Sequence, residues 1–438
     1  MQKYSKYQET DLLWMGEVPS HWRKDKISRM VEFSASGGTP TSTNESYYDG
    51  NIKWVQTGEL NDCEIFDTEK KLTEEGFKAS STKLFPAETL LVAMYGATIG
   101  KLGILKTEAT TNQACCALFF NTKKWNTKYF FYYFLNIREK LIFSSYGGGQ
   151  PNISQEVIKQ ERLFVPPFTE QTAIAAYLDQ ATANIDKVIA TKQKQLEKLE
   201  QYKQSKIHEC VTKGLNPDVT LKPSGIDWIG NVPSHWKVER LKYVVSKIGS
   251  GVTPKGGAAV YLTTGIPLIR SQNVHFDGLD FSDIACITEE IHDDMSGSKV
   301  KRGDVLLNIT GASIGRCYYY DIDDEANVNQ HVCILRPNDL ITTNFLYYLM
   351  MSEVGQSQIF SGFKGSGREG LGNEAIKVFK IPLPKTKEQR EISDYLDFFC
   401  DNIKNEKSII EQQIEKLKQY RKCLIHECVT GKRKVVND

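Results

Sequence analysis

Residues 170–212, EQTAIAAYLDQATANIDKVIATKQKQLEKLEQYKQSKIHECVT, recur at 388–430 as EQREISDYLDFFCDNIKNEKSIIEQQIEKLKQYRKCLIHECVT, at a constant offset of 218 residues. Over Leu196–Thr212 against Ile414–Thr430, eleven of seventeen positions are identical without a gap, where unrelated sequence gives about one. The chain therefore carries an internal duplication.

Each copy predicts one long helix. Apolar or small residues recur at three- and four-residue steps through Ile174, Leu178, Ala181, Ile185 and Val188, then Leu196 and Leu199, with charged residues between them. The second ladder runs through Ile392, Leu396, Phe399, Ile403, Ile410, Ile414, Leu417, Leu424 and Cys428. Both ladders slip phase around Lys192 and Ile410, as a coiled-coil seam does where a half-turn is inserted. About 43 residues at a rise of 1.5 Å make a rod on the order of 60 Å long. Polar on its outer face, such a rod needs a mate along its seam, and the expected mate is the other copy. The packing and partner-contact residues are then Ile174, Leu178, Ile185, Leu196, Leu199, Tyr202 and His208 on one helix. On the other they are Ile392, Leu396, Ile403, Ile414, Leu417, Tyr420 and His426.

Working outward, the duplication covers nearly the whole chain. Trp14 to Trp22, WMGEVPSHW, returns at Trp228 to Trp236 as WIGNVPSHW, and Gly37-Gly38-Thr39-Pro40 returns as Gly251-Val252-Thr253-Pro254. Gly96 to Lys101, GATIGK, becomes Gly311 to Arg316, GASIGR; Asn112-Gln113 becomes Asn329-Gln330, and Tyr132-Tyr133 becomes Tyr347-Tyr348. The unit is a globular part of about 140 residues followed by a long helix, with the Pro- and Gly-bearing residues 213–227 as the linker between copies. Inside each globular part, short strands are predicted at Ile52–Gln56, Thr89–Met94 and Ala114–Phe120, with counterparts at Pro267–Arg270, Asp304–Ile309 and Val332–Leu335. One short aromatic helix follows, Thr127–Asn136 and again Asn344–Met351. The globular parts are mixed and mostly β.

With 438 residues and 40% hydrophobic content the chain is long enough for two to four cores. The opening residues MQKYSKYQET hold no apolar run and no uncharged stretch approaches membrane-spanning length, so a cytoplasmic protein with no membrane partner is expected. None of the ten cysteines sits in a C-x-x-C pair, and several lie in apolar runs such as Cys115 and Cys116. They are expected to be small core residues in a reducing compartment. A net charge of +1 by itself argues neither for nor against a nucleic-acid partner; a protein that held DNA alone would be more basic, so near-neutrality fits better with a subunit that reads bases while its partners supply much of the phosphate contact.

The W-x-G-x-V-P-S-H-W opener, the G-G-T-P loop, the G-A-T-I-G-K turn, the N-Q pair and the E-Q start of a long helix closing on I-H-E-C-V-T, all of it duplicated, together resemble the DNA-specificity subunits of type I restriction-modification systems. The likeness spans essentially the whole chain. It implies an α+β fold of two mostly-β target recognition domains joined by two long antiparallel coiled-coil helices that act as spacers, with an internal pseudo-twofold repeat. The corresponding boundaries are an N-terminal segment 1–22, a recognition domain 23–167, a helix 168–212, the linker 213–227, a recognition domain 228–385, a helix 386–430 and a basic tail 431–438. The resemblance also implies double-stranded DNA as ligand, two modification (methyltransferase) subunits mounted on the helices, and restriction or translocase subunits joining that core. S-adenosylmethionine, and ATP with Mg, are expected on those partners.

A pseudo-twofold chain presents two similar readers to two half-sites at a separation set by the protein. Framework is kept between copies while loops differ, Lys53 to Glu59 (KWVQTGE) facing Pro267 to Asn273 (PLIRSQN). Side chains of that kind discriminate bases, arginine on guanine and glutamine or asparagine on adenine, so an asymmetric split target is expected. The candidate DNA-contacting residues are Thr39, Lys53, Gln56, Thr57, Tyr95, Gly148 and Gln150 in the first copy. In the second they are Thr253, Lys255, Arg270, Ser271, Gln272, Asn273, Lys364, Ser366 and Arg368. Competing roles are open for each: polar turn residues cap backbone or face solvent, glycine tracts form surface loops, and Tyr95 fits a core.

Apparent catalytic motifs fail on inspection. Val165-Pro166-Pro167-Phe168 lacks the polar first residue that an adenine methyltransferase tetrad uses on the target amino group, and its counterpart is Leu383-Pro384-Lys385-Thr386. Gly96 to Lys101 is one residue short of a P-loop. His208-Glu209 and His426-Glu427 lack the second histidine of a helical zinc site. The chain is expected to bind no metal, S-adenosylmethionine or ATP itself and to catalyse nothing alone. The rival readings are a fused DNA methyltransferase or nuclease, and a coiled-coil scaffold for proteins only.

Overall fold

The computed structural model describes residues 3–12, 14–144, 152–364 and 370–435, and of 363 and 364 only the backbone. It divides into two compact units, Met1–Lys192 with Gln412–Asp438, and Gln193–Glu411. The long helices run Phe168–Lys213 and Thr386–Val429. Each unit therefore contains the start of one long helix and the end of the other, and the division falls where the apolar ladders slip phase.

In the first unit the framework strands are β1 (Val31–Ser36), β2 (Tyr48–Val55), β3 (Leu90–Ala93), β4 (Leu102–Leu105) and β5 (Cys115–Phe120). One sheet runs in the order β1-β5-β3-β4 and ends on Cys63–Ile65, antiparallel except for the last pair. Its central strands are buried on both faces, which is why LLVA, LGIL and CCALFF are continuous apolar runs. Leu90, Val92, Cys116 and Leu118 face the main core, while Leu91, Ala93, Cys115 and Ala117 face a smaller one with Val55, Leu60 and Phe85.

The aromatic helix α1 (Thr127–Phe143) continues seven residues past the predicted Asn136. Ile137 and Leu141 extend the buried face by one more turn, and an asparagine inside a helix costs little when that face is packed. Ile174, Leu178 and Ile185 of the first long helix and Leu424, Ile425, Cys428 and Val429 of the second pack into the same core. Their opposed directions show in Asp186 on Arg421 at 3.0 Å and in Lys192 donating to Gln413 at 2.6 Å.

The second unit repeats the plan with β6 (Val245–Ser250), β7 (Ile266–Ile269), β8 (Val305–Asn308), β9 (Cys317–Tyr319) and β10 (Val332–Pro337), the sheet ordered β6-β10-β8-β9. Helix α2 (Thr343–Met351) matches its expected span within one residue. Here Ile207, Cys210 and Val211 share a core with Ile392 and Leu396. Glu200 pairs with Lys407 at 2.9 Å, and the Tyr202 ring stands edge-on to Phe399 at 5.4 Å.

Of the expected seam residues, Ile174, Leu178, Ile185, Ile392, Leu396, Ile403 and Ile414 are buried, and Leu196, Leu199, Leu417, His208 and His426 are half-buried. Tyr202 and Tyr420 are half exposed, at 54% and 50%. Val188 departs from the ladder and faces outward. The alignment of Tyr132-Tyr133 with Tyr347-Tyr348 also needs correcting by one residue. Tyr132 donates to Asp179 and Tyr348 to Asp397, each at 2.6 Å, and the backbone N–H groups of Asn126 and Thr342 donate to Gln171 and Gln389 respectively. Tyr132 thus corresponds to Tyr348, because the helix face, not the identity of a neighbouring tyrosine, fixes the equivalence. Seven cysteines are buried, Cys63 and Cys423 are exposed and Cys400 lies between; burial pushes the Cys116 thiol up to about 12. Among the described residues no helix is long and apolar enough to cross a membrane.

Candidate nucleic-acid interface

The most recognisable motif, V-P-S-H-W, clamps helices. His21 Nε2 lies 2.8 Å from Glu170 Oε2, and Trp22 Nε1 donates to Glu170 Oε1 at 3.1 Å, a carboxylate in the first turn of the long helix that Tyr4 also holds. A carboxylate there is favoured by the unpaired N–H groups of the helix start. The second unit keeps His235 on Glu388 at 3.0 Å, but the buried Trp236 Nε1 has no partner.

The other repeated motifs converge at one edge of each globular part. In the first unit, Asn112 N donates to Val55 O at 3.0 Å, bringing the N-Q turn against the end of β2 and the Thr57–Glu59 turn. Gly38 N donates to Thr111 O at 2.9 Å, laying the G-G-T-P loop on the same turn. A Cβ on Gly37 would stand 1.8 Å from Thr111 O, so only glycine permits this approach. Met94 N donates to Ala114 O, which adds the turn at Gly96, where φ is +83°. Tyr95 bridges to Asn152, which adds the chain ahead of the helix Gln155–Gln160.

Four of these features recur in the second unit. Asn329 N donates to Ile269 O at 3.1 Å, a Cβ on Gly251 would meet Val328 O at 1.8 Å, Ile309 N donates to His331 O, and Thr310 bridges to Gly370. At both edges a threonine hydroxyl donates to a glutamine side-chain oxygen: Thr39 to Gln113, and Thr253 to Gln330 at 2.5 Å. All four residues are exposed. Beside Gln330 sits His331, its Nε2 2.9 Å from Gln330 Nε2 and its Nδ1 2.6 Å from Thr310 Oγ1.

Thr39, Gln56, Thr57 and Tyr95 of the expected contact residues belong to the first edge; Tyr95 also packs partly on the core. Thr253, Arg270, Ser271 and Gln272 belong to the second, with Lys255 exposed two residues beyond Thr253. Arg270 Nη2 donates to Asp283 O at 2.7 Å, its guanidinium lies 5.7 Å from the Tyr261 ring, and Gln272 Nε2 donates to Asp283 Oδ2 at 3.0 Å.

One expectation is corrected, and a second residue has a structural role. Asn273 is 3% exposed, its Oδ1 accepts from Arg270 N and its Nδ2 donates to Asp280 O, so it holds the turn and faces no ligand. Lys53 Nζ donates to Phe66 O at 2.7 Å and to Thr107 Oγ1 at 2.9 Å, and so ties two loops together. Gly148, Gln150, Ser366 and Arg368 lie outside the described residues, and Lys364 enters only as the last backbone position of the helix Glu353–Lys364. Gln113, Gln330 and His331 are not among the residues expected from sequence; the signal for them is the repeated N-Q pair, Asn112-Gln113 and Asn329-Gln330.

Two exposed polar edges of like build and unlike side chains, in units that share two long helices, define a double-headed recognition subunit. The chain belongs to the family described as the type I restriction modification DNA specificity domain, whose model matches residues 19–201 and 233–416. It is 25% identical over 432 residues to the type I restriction enzyme MjaVIII specificity subunit of Methanocaldococcus jannaschii, spanning 96% of this chain and 95% of that protein. It is 25% identical over 292 residues to the EcoBI specificity subunit of Escherichia coli, spanning 65% and 61%. Among solved structures, a chain from a study of complex assembly and conformational transition of the type I R-M system superposes with a TM-score of 0.74 at 16% identity, covering 94% of this chain and 98% of that one. The HsdS subunit from Thermoanaerobacter tengcongensis superposes at 0.52, also at 16% identity, covering 95% and 98%. As a family member the chain is a recognition subunit and not an enzyme, with one specificity domain per repeat.

Proposed function

We propose that residues 23–167 and 228–385 are target recognition domains that each read one half of a split, asymmetric double-stranded DNA target. The long helices set the unread spacer and carry two modification subunits, with restriction subunits joining that core in the cytoplasm. S-adenosylmethionine, and ATP with Mg, are held by those partners. The observation that carries this reading is the pair of equivalent exposed edges whose framework contacts recur while the side chains on them differ, Gln56-Thr57-Gly58 standing where Arg270-Ser271-Gln272 stand in the other copy. Like scaffolds with unlike hydrogen-bonding groups suit two different base sequences.

The test is a genome-wide map of methylated bases in a host carrying this chain and its modification partner. A two-part motif with a fixed gap is expected. Replacing residues 23–165 by those of a relative should then change one half of the motif and leave the other half and the gap as they were. No sequence-specific methylation, or a change in both halves, would overturn the reading.

A further inference from the structure

The two edges combine what they share with what they do not, and the division has a chemical meaning. The Thr39–Gln113 and Thr253–Gln330 pairs are the same residues in the same contact, 74 and 77 residues apart in the chain. Around them the copies have diverged: Gly38 faces Val252, Ala114 faces His331, and Gln56 faces Arg270. A hydrogen bond between two exposed side chains adds little to stability, because water would serve either group as well. The fold therefore does not need this pair, yet both copies keep it and both lock its loop by a glycine that admits no Cβ.

With its oxygen held by the threonine hydroxyl, the glutamine amide presents N–H groups outward. At Gln113 the protein contact is through the oxygen alone, while at Gln330 the nitrogen also meets His331. Such a group gives hydrogen bonds to an acceptor and takes none through that nitrogen. Two half-sites of different sequence share the sugar–phosphate backbone as an array of strong, charged acceptors, and contacts to it position a protein without carrying sequence information.

We propose that the Thr39–Gln113 and Thr253–Gln330 pairs are phosphate-backbone anchors that set the register of each head, and that discrimination falls to the diverged residues beside them, Gln56 in the first head and Gln272 and His331 in the second. This rests on the target-reading proposal above. The experiment uses the complex with its modification partner and fluorescence anisotropy on two sets of duplexes: the mapped target and variants with one base pair changed in a half-site. Gln113→Leu and Gln330→Leu are each expected to weaken binding about 10-fold, by the same factor on every duplex, so that the preference between duplexes stays that of wild type. Gln113→Glu, which turns a carboxylate toward the backbone, should weaken binding further and again uniformly. His331→Ala and Gln272→Ala should instead alter the preference at the second half-site alone. The inference is overturned if Gln113→Leu shifts the preference among half-site variants, or if it binds as tightly as wild type. A wild-type complex without any preference among duplexes would instead count against the target-reading proposal itself.

Discussion

The two heads, each with its own sheet of the same plan, fill one equivalent point of that sheet with different chemistry. In the first, Phe33 of β1 stacks on Phe119 of β5 at 5.3 Å, and the buried Thr89 at the foot of β3 donates its hydroxyl to Pro86 O. At the same places in the second, Lys247 lies opposite Arg336, whose guanidinium donates through Nε and Nη2 to Asp304 at 2.7 and 2.8 Å. The Asp304 side chain is 1% exposed. An aromatic pair and a two-pronged ion pair are interchangeable solutions only as whole sets, because half of the ionic one leaves a desolvated charge without its counterion. The strands are thus what the copies share, and side chains were exchanged in groups.

That comparison can be broken most forcefully at Asp304. Asp304→Ala should destabilise the second unit by about 3 kcal/mol, leaving Arg336 unpaired, whereas Thr89→Ala should cost the first only about 1 kcal/mol. Urea unfolding followed by tryptophan fluorescence would measure both. Transplanting the first head's set, Lys247→Phe with Asp304→Thr and Arg336→Phe, should recover most of the loss; equal costs in the two heads would refute the contrast.

A smaller asymmetry lies at the helix clamps. Trp22 gives its indole N–H to Glu170 while the indole N–H of Trp236 is buried without a partner. Phenylalanine loses similar apolar contact at either site, so Trp22→Phe should cost about 1–2 kcal/mol more than Trp236→Phe. Midpoints of urea unfolding for the two variants, compared side by side, decide it.

The gentlest contrast is in pH. Burial holds both His208 and His426 below the ordinary histidine range; Lys432 lowers His426 further, while Glu353 partly offsets the effect at His208. A histidine whose folded pKa is depressed takes up its proton first in the unfolded chain. Its stabilisation is therefore whole above about pH 6.5 and is lost as pH falls through the folded value. His426→Gln should flatten the decline of melting temperature on acidification more than His208→Gln. An unchanged decline in both variants would remove these imidazoles from the account.

Periodicity is local, and what depended on it was legible. The two long helices, the strands around Leu90, Cys115, Val305 and Val332, and the buried cysteines follow from the spacing of apolar residues alone. The one-residue slip at Tyr132 and Tyr348 was not, because two adjacent tyrosines look alike until a helix turns one of them toward Asp179 or Asp397. The contact residues were half legible for a similar reason. Gln56, Arg270 and Asn273 share a polar character in sequence, but only the fold directs Asn273 inward to hold its own turn.

The sequence by itself determined that this is a duplicated chain of two mostly-β heads and two long helices, and which family its repeated motifs resemble, since repetition and apolar spacing are written along the chain. Only the tertiary structure decided that the G-T-P loop and the N-Q turn meet, that Lys53 ties loops, and that each compact unit takes the start of one helix and the end of the other. Hydrogen bonds that close across some seventy residues depend on how strands pair and where a glycine lets two backbones touch, and no spacing along the chain encodes either.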